Sequence, residues 1–314
     1  MIPTFKITLA LFGFHFLTSF TVNSQRLSSS YLAEELCTSN FADEVKTYSL
    51  FDHSGEIGYS IWLSRKSQNV KAKYFAHKDV RSGQIVQEKY DTWRPGRSVI
   101  LMSSGAYASG WKAPDTPTGI TVDNGMVVNR TIEPDMDGLV IVEAVGGVRV
   151  SNIKDGDLSI STDQGYKTIN VLTDKIEFLA WCEKNKATVF QTHLLIYKDV
   201  LKVGRYNSDS DQSVRKLLVL AKDRAGNIFH IMYYSKFKAF TLYTISESVL
   251  GHLNSIGYSV IAAINLDTGG YDVLSTAGSV KDCEGNLLKG NSNHSSEDVR
   301  KTMTNILAYY YTYK

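Results

Sequence analysis

The residues Asn265-Leu266-Asp267-Thr268-Gly269-Gly270-Tyr271-Asp272 place a carboxamide and a carboxylate at the end of an apolar run, followed at once by paired glycines. A strand buried on both faces fixes whatever it carries at its end, and glycines there allow a ligand or a second backbone to come close. Taken alone, the motif reads first as a strand cap, with Asp267 closing an Asx turn and the glycines a tight bend. A second small-residue turn, Met102-Ser103-Ser104-Gly105-Ala106-Tyr107, follows another continuous apolar run, Val99–Met102. The two turns would line one pocket if their strands are neighbours. Arg215 opens a further apolar strand behind a polar loop; a guanidinium there serves either as a solvated flank or as a bidentate clamp on phosphate. Tyr107 and Trp111 have the flat faces that stack on sugar rings, although core packing is the commoner use of such residues. His193 and His230 sit in apolar runs and read as satisfied core or face histidines.

Several chemistries are absent. No nucleophile elbow, P-loop, dinucleotide-binding glycine pattern or zinc-protease helix occurs. The pairs Asp135/Asp137, Asp155/Asp157 and Asp209/Asp211 alternate as in a calcium loop but lack its later Glu, so they read as turns. The sequence names no metal site and leaves any cofactor unknown.

The elements that would hold these residues are mostly strands. SIWLSRK, KAKYFAHK and QIVQEKY alternate in period two, Gly119–Arg130 reads as a hairpin about Asp123-Asn124-Gly125, and GLVIVEA, GVRVSNI, THLLIYKD, RKLLVLAKD and NIFHIMYYS continue the pattern. Helices are signalled at about 27–40 by serine caps and apolar spacing, from Thr173, over Thr244–Ile256, and from Ser295 or Ser296 into the tyrosine-rich tail. The expected fold is therefore α+β, with mixed, largely antiparallel β-sheets and a few packed helices.

The 314 residues allow one large domain or two modest ones, and 43% hydrophobic residues with 5 Pro and 23 Gly exclude disorder. A net charge of +2 gives no basic footprint, so no nucleic-acid partner is expected. Three Cys are too few for a disulfide scaffold, and their odd number leaves at least one thiol unpaired within the chain. Residues 1–24 have the shape of a secretory signal: Lys6, an apolar run, then Val22 and Ser24 at the minus-three and minus-one positions before Gln25. That apolar run is too short and too polar for a good membrane span, and no other stretch could cross a bilayer once the signal is removed. The expected location is secreted or periplasmic, with 25–95 as a β-rich region and 96–314 as the main domain.

In order along the chain, these pieces resemble the phosphodiester glycosidase family. The resemblance spans about Val99 to Leu274. It comprises the turn Met102–Tyr107, the Pro117-Thr118-Gly119-Ile120 strand leading to Asn124-Gly125, the strand Asp137-Gly138-Leu139-Val140-Ile141, and Gln191-Thr192-His193-Leu194-Leu195-Ile196. The Arg215 strand, the helix Thr244–Ile256 and Asn265 to Gly270 complete it. Such a resemblance implies hydrolysis of the bond between a sugar's anomeric carbon and a phosphodiester, with a phosphate-linked carbohydrate as partner. It implies that Arg215 meets the phosphate, that Asp267 is the working carboxylate and that Asn265 orients Asp267 or a sugar hydroxyl. Ser103, Ser104, Gly105, Tyr107, Gln191, Thr268, Gly269 and Gly270 would contact substrate. Ser103 stands where the family has Asn, and Thr268 where it has Gly. Those departures favour the alternative of a non-catalytic glycan- or surface-binding protein on the same fold, with a purely structural envelope protein as a third reading.

Overall fold

The computed structural model describes residues 31–37, 41–78, 82–108, 116–204, 213–237, 240–268, 272–290 and 303–313. The signal-like segment 1–24, Trp111, Asp209, Asp211, Gly269, Gly270, Tyr271 and the start of the expected last helix lie outside them.

The chain begins with strands β1 (Ala33–Cys37), β2 (Val45–Asp52), β3 (Gly55–Ser64) and β4 (Val70–Ala76), then helix α1 (Ser82–Trp93). Next come β5 (Ser98–Ser103), β6 (Thr121–Asp123), β7 (Met126–Asn129), β8 (Gly138–Val142), β9 (Val148–Asn152), β10 (Leu158–Thr162) and β11 (Gly165–Ile169). Helix α2 (Lys175–Lys184) leads to β12 (Thr188–Thr192), β13 (Leu194–Tyr197), β14 (Val200–Leu201), β15 (Lys216–Lys222) and β16 (Ile228–Ser235). Helix α3 (Leu242–Ser255), β17 (Ser259–Asn265), β18 (Leu274–Thr276) and β19 (Asn305–Tyr311) complete it.

The expectation of an α+β fold is corrected. Nineteen strands stand against three α-helices among the described residues, and every pairing between these strands is antiparallel, so the fold is β-rich. Two misread termini inflated the helical share. The segment around Ala33–Cys37 is an edge strand paired with β2, and the tyrosine-rich tail is β19, hydrogen-bonded to β4 on one side and β5 on the other. Long-range pairing outweighs local helix signals there, and tyrosine suits a pleated surface. In the opposite direction, QIVQEKY belongs to α1: Val86 and Tyr90, four apart, are both buried and share an apolar cluster with Phe75 and Ile306.

The sheets form layers. An eight-stranded sheet runs β1-β2-β3-β16-β15-β17-β13-β14, a four-stranded sheet β18-β5-β19-β4, and a five-stranded sheet β7-β6-β12-β8-β9. The period-two alternation of β15 sorts its side chains cleanly: Leu218 and Leu220 face the central core with Ile100, Phe190 and Tyr309, while Leu217 and Val219 face Ile245 and Leu253 of α3. Helix α3 starts at a reciprocal cap in which Thr241 and Thr244 each accept the other's backbone N–H. The hairpin β10–β11 and α2 cover the outer face of the five-stranded sheet, and α1 that of the four-stranded sheet. The described part of the 25–95 region is woven into the eight-stranded sheet through β3–β16 and into the four-stranded sheet through β4–β19.

Cys37 and Cys283, 246 residues apart, form a disulfide, and Cys182 is free and buried. A structural disulfide belongs to an oxidising compartment and is compatible with an extracellular location. No helix among the described residues is long and apolar enough to cross a membrane.

Candidate functional site

Antiparallel pairing decides which ends meet. Leu217 pairs with Asn265, so the start of β15, preceded by Arg215, lies beside the end of β17, followed by Asp267. Two hydrogen bonds tie the turn after β5 to the same place: the Asp267 N–H donates to the Gly105 carbonyl at 3.1 Å, and Ser104 Oγ donates to the Asp267 carbonyl at 2.8 Å. Thr268 Oγ1 donates to the Val214 carbonyl at 3.0 Å, closing the loop on the Arg215 side. Ser104, Gly105, Tyr107, Arg215, Asn265, Asp267 and Thr268 are therefore brought together.

Gly105 is required by close approach. A Cβ there would stand 2.9 Å from the Tyr74 ring and 3.0 Å from Asn305 Oδ1. Asn305, at the start of β19, accepts the Gly105 N–H at 2.9 Å and donates to the Ala106 carbonyl, so the C-terminal strand holds the turn in shape. Sequence reading missed this residue because its importance exists only through the β5–β19 pairing.

Beneath the turn lies Lys216, with no exposed surface. Its ammonium donates to Ser104 Oγ at 2.7 Å, to Asp272 Oδ1 at 2.9 Å and to the Val273 carbonyl at 3.0 Å, while Tyr234 donates to the other Asp272 oxygen at 2.8 Å. An ammonium has three N–H bonds and all three are used. Lys216 consequently has no lone pair to activate Ser104, whose hydroxyl is itself committed to the Asp267 carbonyl. Ser103 is equally inward: its hydroxyl donates to the Ser104 carbonyl at 2.8 Å. These serines shape the turn.

The other side of Asp267 is built differently. Tyr107 is half-buried and accepts a hydrogen bond from Asn265 Nδ2. Burial and the nearby Asp267 charge push the phenol well above its ordinary pKa, against the opposing charge of Arg215. Tyr107 is thus a protonated phenol within electrostatic reach of both the carboxylate and the guanidinium. Arg215 is 9% exposed; its Nε donates to the Phe240 carbonyl at 2.9 Å, which fixes the plane of the guanidinium. Asn265 has no exposed surface, and its Oδ1 has no hydrogen-bond partner among the described residues. Turning the amide over would only move the vacancy to Nδ2.

Against the Tyr107 ring stands His193, edge to face, with centroids 5.4 Å apart. Its Nδ1 lies 3.1 Å from the Asp135 carbonyl, and its backbone carbonyl accepts the Asn265 N–H at 3.0 Å. The sequence placed His193 with His230 as packing residues. The one signal that separates them is position, since His193 falls at the break between β12 and β13 and His230 within β16.

Gln191 makes no side-chain hydrogen bond to this cluster among the described residues. Its side-chain oxygen accepts the N–H groups of Ile120 and Glu133, and its amide nitrogen donates to the carbonyls of Glu133 and Met136. With every valence occupied it staples the segment before β8 to β6. Cavities of about 280 Å³ beside Tyr59 and Lys236 and about 180 Å³ beside Arg94 and Thr276 also lie elsewhere. Among the described residues no group of three or more His, Cys, Asp or Glu is placed to hold a metal ion.

No family model matches the chain, and no curated protein matches it. Among solved structures it is similar to the zebrafish N-acetylglucosamine-1-phosphodiester alpha-N-acetylglucosaminidase catalytic domain auto-inhibited by its pro-peptide. That likeness has 13% identity and a TM-score of 0.46, covering 90% of this chain and 88% of that one. A hypothetical protein from Synechocystis is similar at 12% identity and a TM-score of 0.42, covering 90% and 68%. A Burkholderia pseudomallei K96243 protein described as exported is similar at 9% identity and a TM-score of 0.45, covering 85% and 74%.

Proposed function

We propose that the protein is an exported hydrolase that cleaves the bond between a sugar's anomeric carbon and a phosphodiester, in a glycan of the envelope or surroundings. The observation that carries the reading is the meeting of Arg215, Asp267, Tyr107 and Asn265 at the joined ends of β15, β17 and β5. The order of motifs along the chain supplies the reaction class.

The chemistry makes two electrostatic demands. Breaking the anomeric C–O bond leaves negative charge on phosphate and positive charge on an oxocarbenium-like sugar. Arg215, held through Nε, presents fixed positive charge to the phosphate oxygens, which costs no reorganisation at the moment of reaction. Asp267, 6% exposed and fixed through both its N–H and its carbonyl, faces the sugar cation. Tyr107 donates its hydroxyl proton to a phosphate or sugar oxygen, and the vacant Asn265 Oδ1 accepts from a sugar hydroxyl.

The test is release of phosphomonoester from a GlcNAc-1-phosphodiester by the purified full chain. Asp267→Asn is expected to lower kcat by about 10²–10³ and Arg215→Met to raise KM as well. A folded Asp267→Asn protein that turns over at the wild-type rate ends the reading. Retention on glycan without turnover by the wild type would favour the binding protein.

A further inference from the structure

His193 has the geometry of a group waiting for a proton. A backbone carbonyl can only accept, so the 3.1 Å contact with the Asp135 carbonyl puts the ring proton on Nδ1. In the neutral ring the lone pair then belongs to Nε2, which has no hydrogen-bond partner among the described residues. The ring is half-buried, set edge-on to Tyr107, and tied through its own carbonyl to Asn265. It cannot drift along the strand, because the β13–β17 register shifts between Leu194 and Ile196, directly after it. The charged groups facing it are Asp135 and Asp137 from the segment before β8 and Arg215 from before β15, with the Tyr107 phenol from the turn after β5. Burial moves its pKa down from the ordinary value of 6.5, with Arg215 acting in the same direction and Asp135 and Asp137 against.

Hydrolysis of a sugar-1-phosphodiester sets an unusual proton balance. The departing phosphomonoester has a second pKa of about 6, so it leaves as a stable dianion near pH 7 and needs no proton. The attacking water, in contrast, must lose one. Arg215 and the saturated Lys216 are cations, and Tyr107 holds its proton tightly, so none of them can take it. Asp267 is occupied in facing the sugar cation.

We propose that His193 is the general base of the site, accepting at Nε2 the proton of the water that attacks the anomeric carbon. The proposal rests on the hydrolase reading above. The water oxygen forms its bond to the anomeric carbon while the bond from that carbon to the phosphate oxygen breaks, its electron pair staying on phosphate. The water proton passes to Nε2, and the imidazolium, still donating from Nδ1 to the Asp135 carbonyl, returns it to solvent.

Two measurements test this on the full chain. In protein labelled with ¹⁵N-histidine, with His193→Asn used to assign the resonance, the ring is expected to be the Nδ1–H tautomer at pH 7 and to titrate below 6.5. A cationic or Nε2–H ring at pH 7 overturns the proposal whatever the activity. In hydrolysis of a GlcNAc-1-phosphodiester, wild-type kcat/KM should fall as pH drops through the same midpoint. His193→Asn keeps a donor for the Asp135 carbonyl but lacks Nε2, so it should lose about 10²–10⁴ in kcat, leave KM nearly unchanged and lose the acid-side inflection. His193→Gln repeats the test should the first variant unfold. Either variant, folded and turning over at the wild-type rate, overturns this proposal alone. A wild type that turns over no sugar phosphodiester removes the hydrolase reading and the base with it.

Discussion

Two polar clusters flank Asp267, one buried throughout and one half-buried at Tyr107 and His193, and they differ in what is left over. On one side Lys216, Asp272, Ser104, Tyr234 and the Val273 carbonyl are joined by four hydrogen bonds of 2.7–3.0 Å that use every N–H of the ammonium. On the other, Tyr107, Asn265 and His193 touch one another yet retain a buried amide oxygen and a ring nitrogen with no partner among the described residues. A satisfied buried network rigidifies, whereas an unsatisfied one costs free energy that only function repays. Under the proposed function the saturated cluster serves as scaffold and the unsaturated one receives the ligand, although both contain residue types that chemistry uses.

The largest expected effect breaks the scaffold. Lys216→Met leaves Asp272 charged and 3% exposed without its cation, and loss of one partner from a buried pair costs about 3–5 kcal/mol. Denaturant unfolding should show that loss in the midpoint with little change in slope. A cost below about 1 kcal/mol would mean that Lys216 is not the keystone under the turn.

A smaller effect separates the two histidines of the apolar runs. His230 on β16 is 2% exposed, with Nδ1 3.1 Å from the Tyr309 hydroxyl, and burial, aided by the Arg65 charge, pushes its pKa down to about 3. The folded state keeps it neutral while the unfolded chain protonates near 6.5, so between those values the unfolded state binds more protons. Stability from this group is complete above pH 6.5 and is lost as pH falls, by at most about 1.4 kcal/mol per unit. Between pH 7 and 5 the wild type should lose about 2 kcal/mol more than His230→Gln. Equal losses would show that His230 takes up its proton as readily in the folded state as in the unfolded one and has no part in acid sensitivity.

What the sequence disclosed follows the same division. Arg215, Asp267, Asn265 and the Ser103–Tyr107 turn were legible because each bounds an apolar run, and a strand buried on both faces leaves that mark. His193 and His230 were indistinguishable because the difference lies across the fold, in a carbonyl from residue 135 against a hydroxyl from residue 309. Gln191 was read as a substrate contact on its place in a motif, yet its hydrogen bonds all go to backbone 55–71 residues away in sequence. Lys216 passed as an ordinary strand residue, since nothing local says that Asp272 and Ser104 converge on it. The same limit hid β1, β19 and the Cys37–Cys283 bond, all of which depend on partners distant in sequence.

Loss of the Asn265 amide should cost the least stability and separates burial from hydrogen-bond satisfaction. Asn265 is as buried as Lys216 and lies one residue away across the β15–β17 pairing, so a rule based on burial alone would predict similar damage from losing either. Asn265→Leu keeps the volume and removes an acceptor that already lacks a partner, a vacancy of about 1–3 kcal/mol. It also forfeits the bond to Tyr107, worth about 1 kcal/mol net, so the two changes nearly cancel. The melting temperature should stay within about 3 °C of wild type or rise, while turnover of a sugar phosphodiester collapses. A fall of about 10 °C, the scale set by Lys216→Met, would place Asn265 in the scaffold, and the unpaired oxygen would then no longer mark a ligand site.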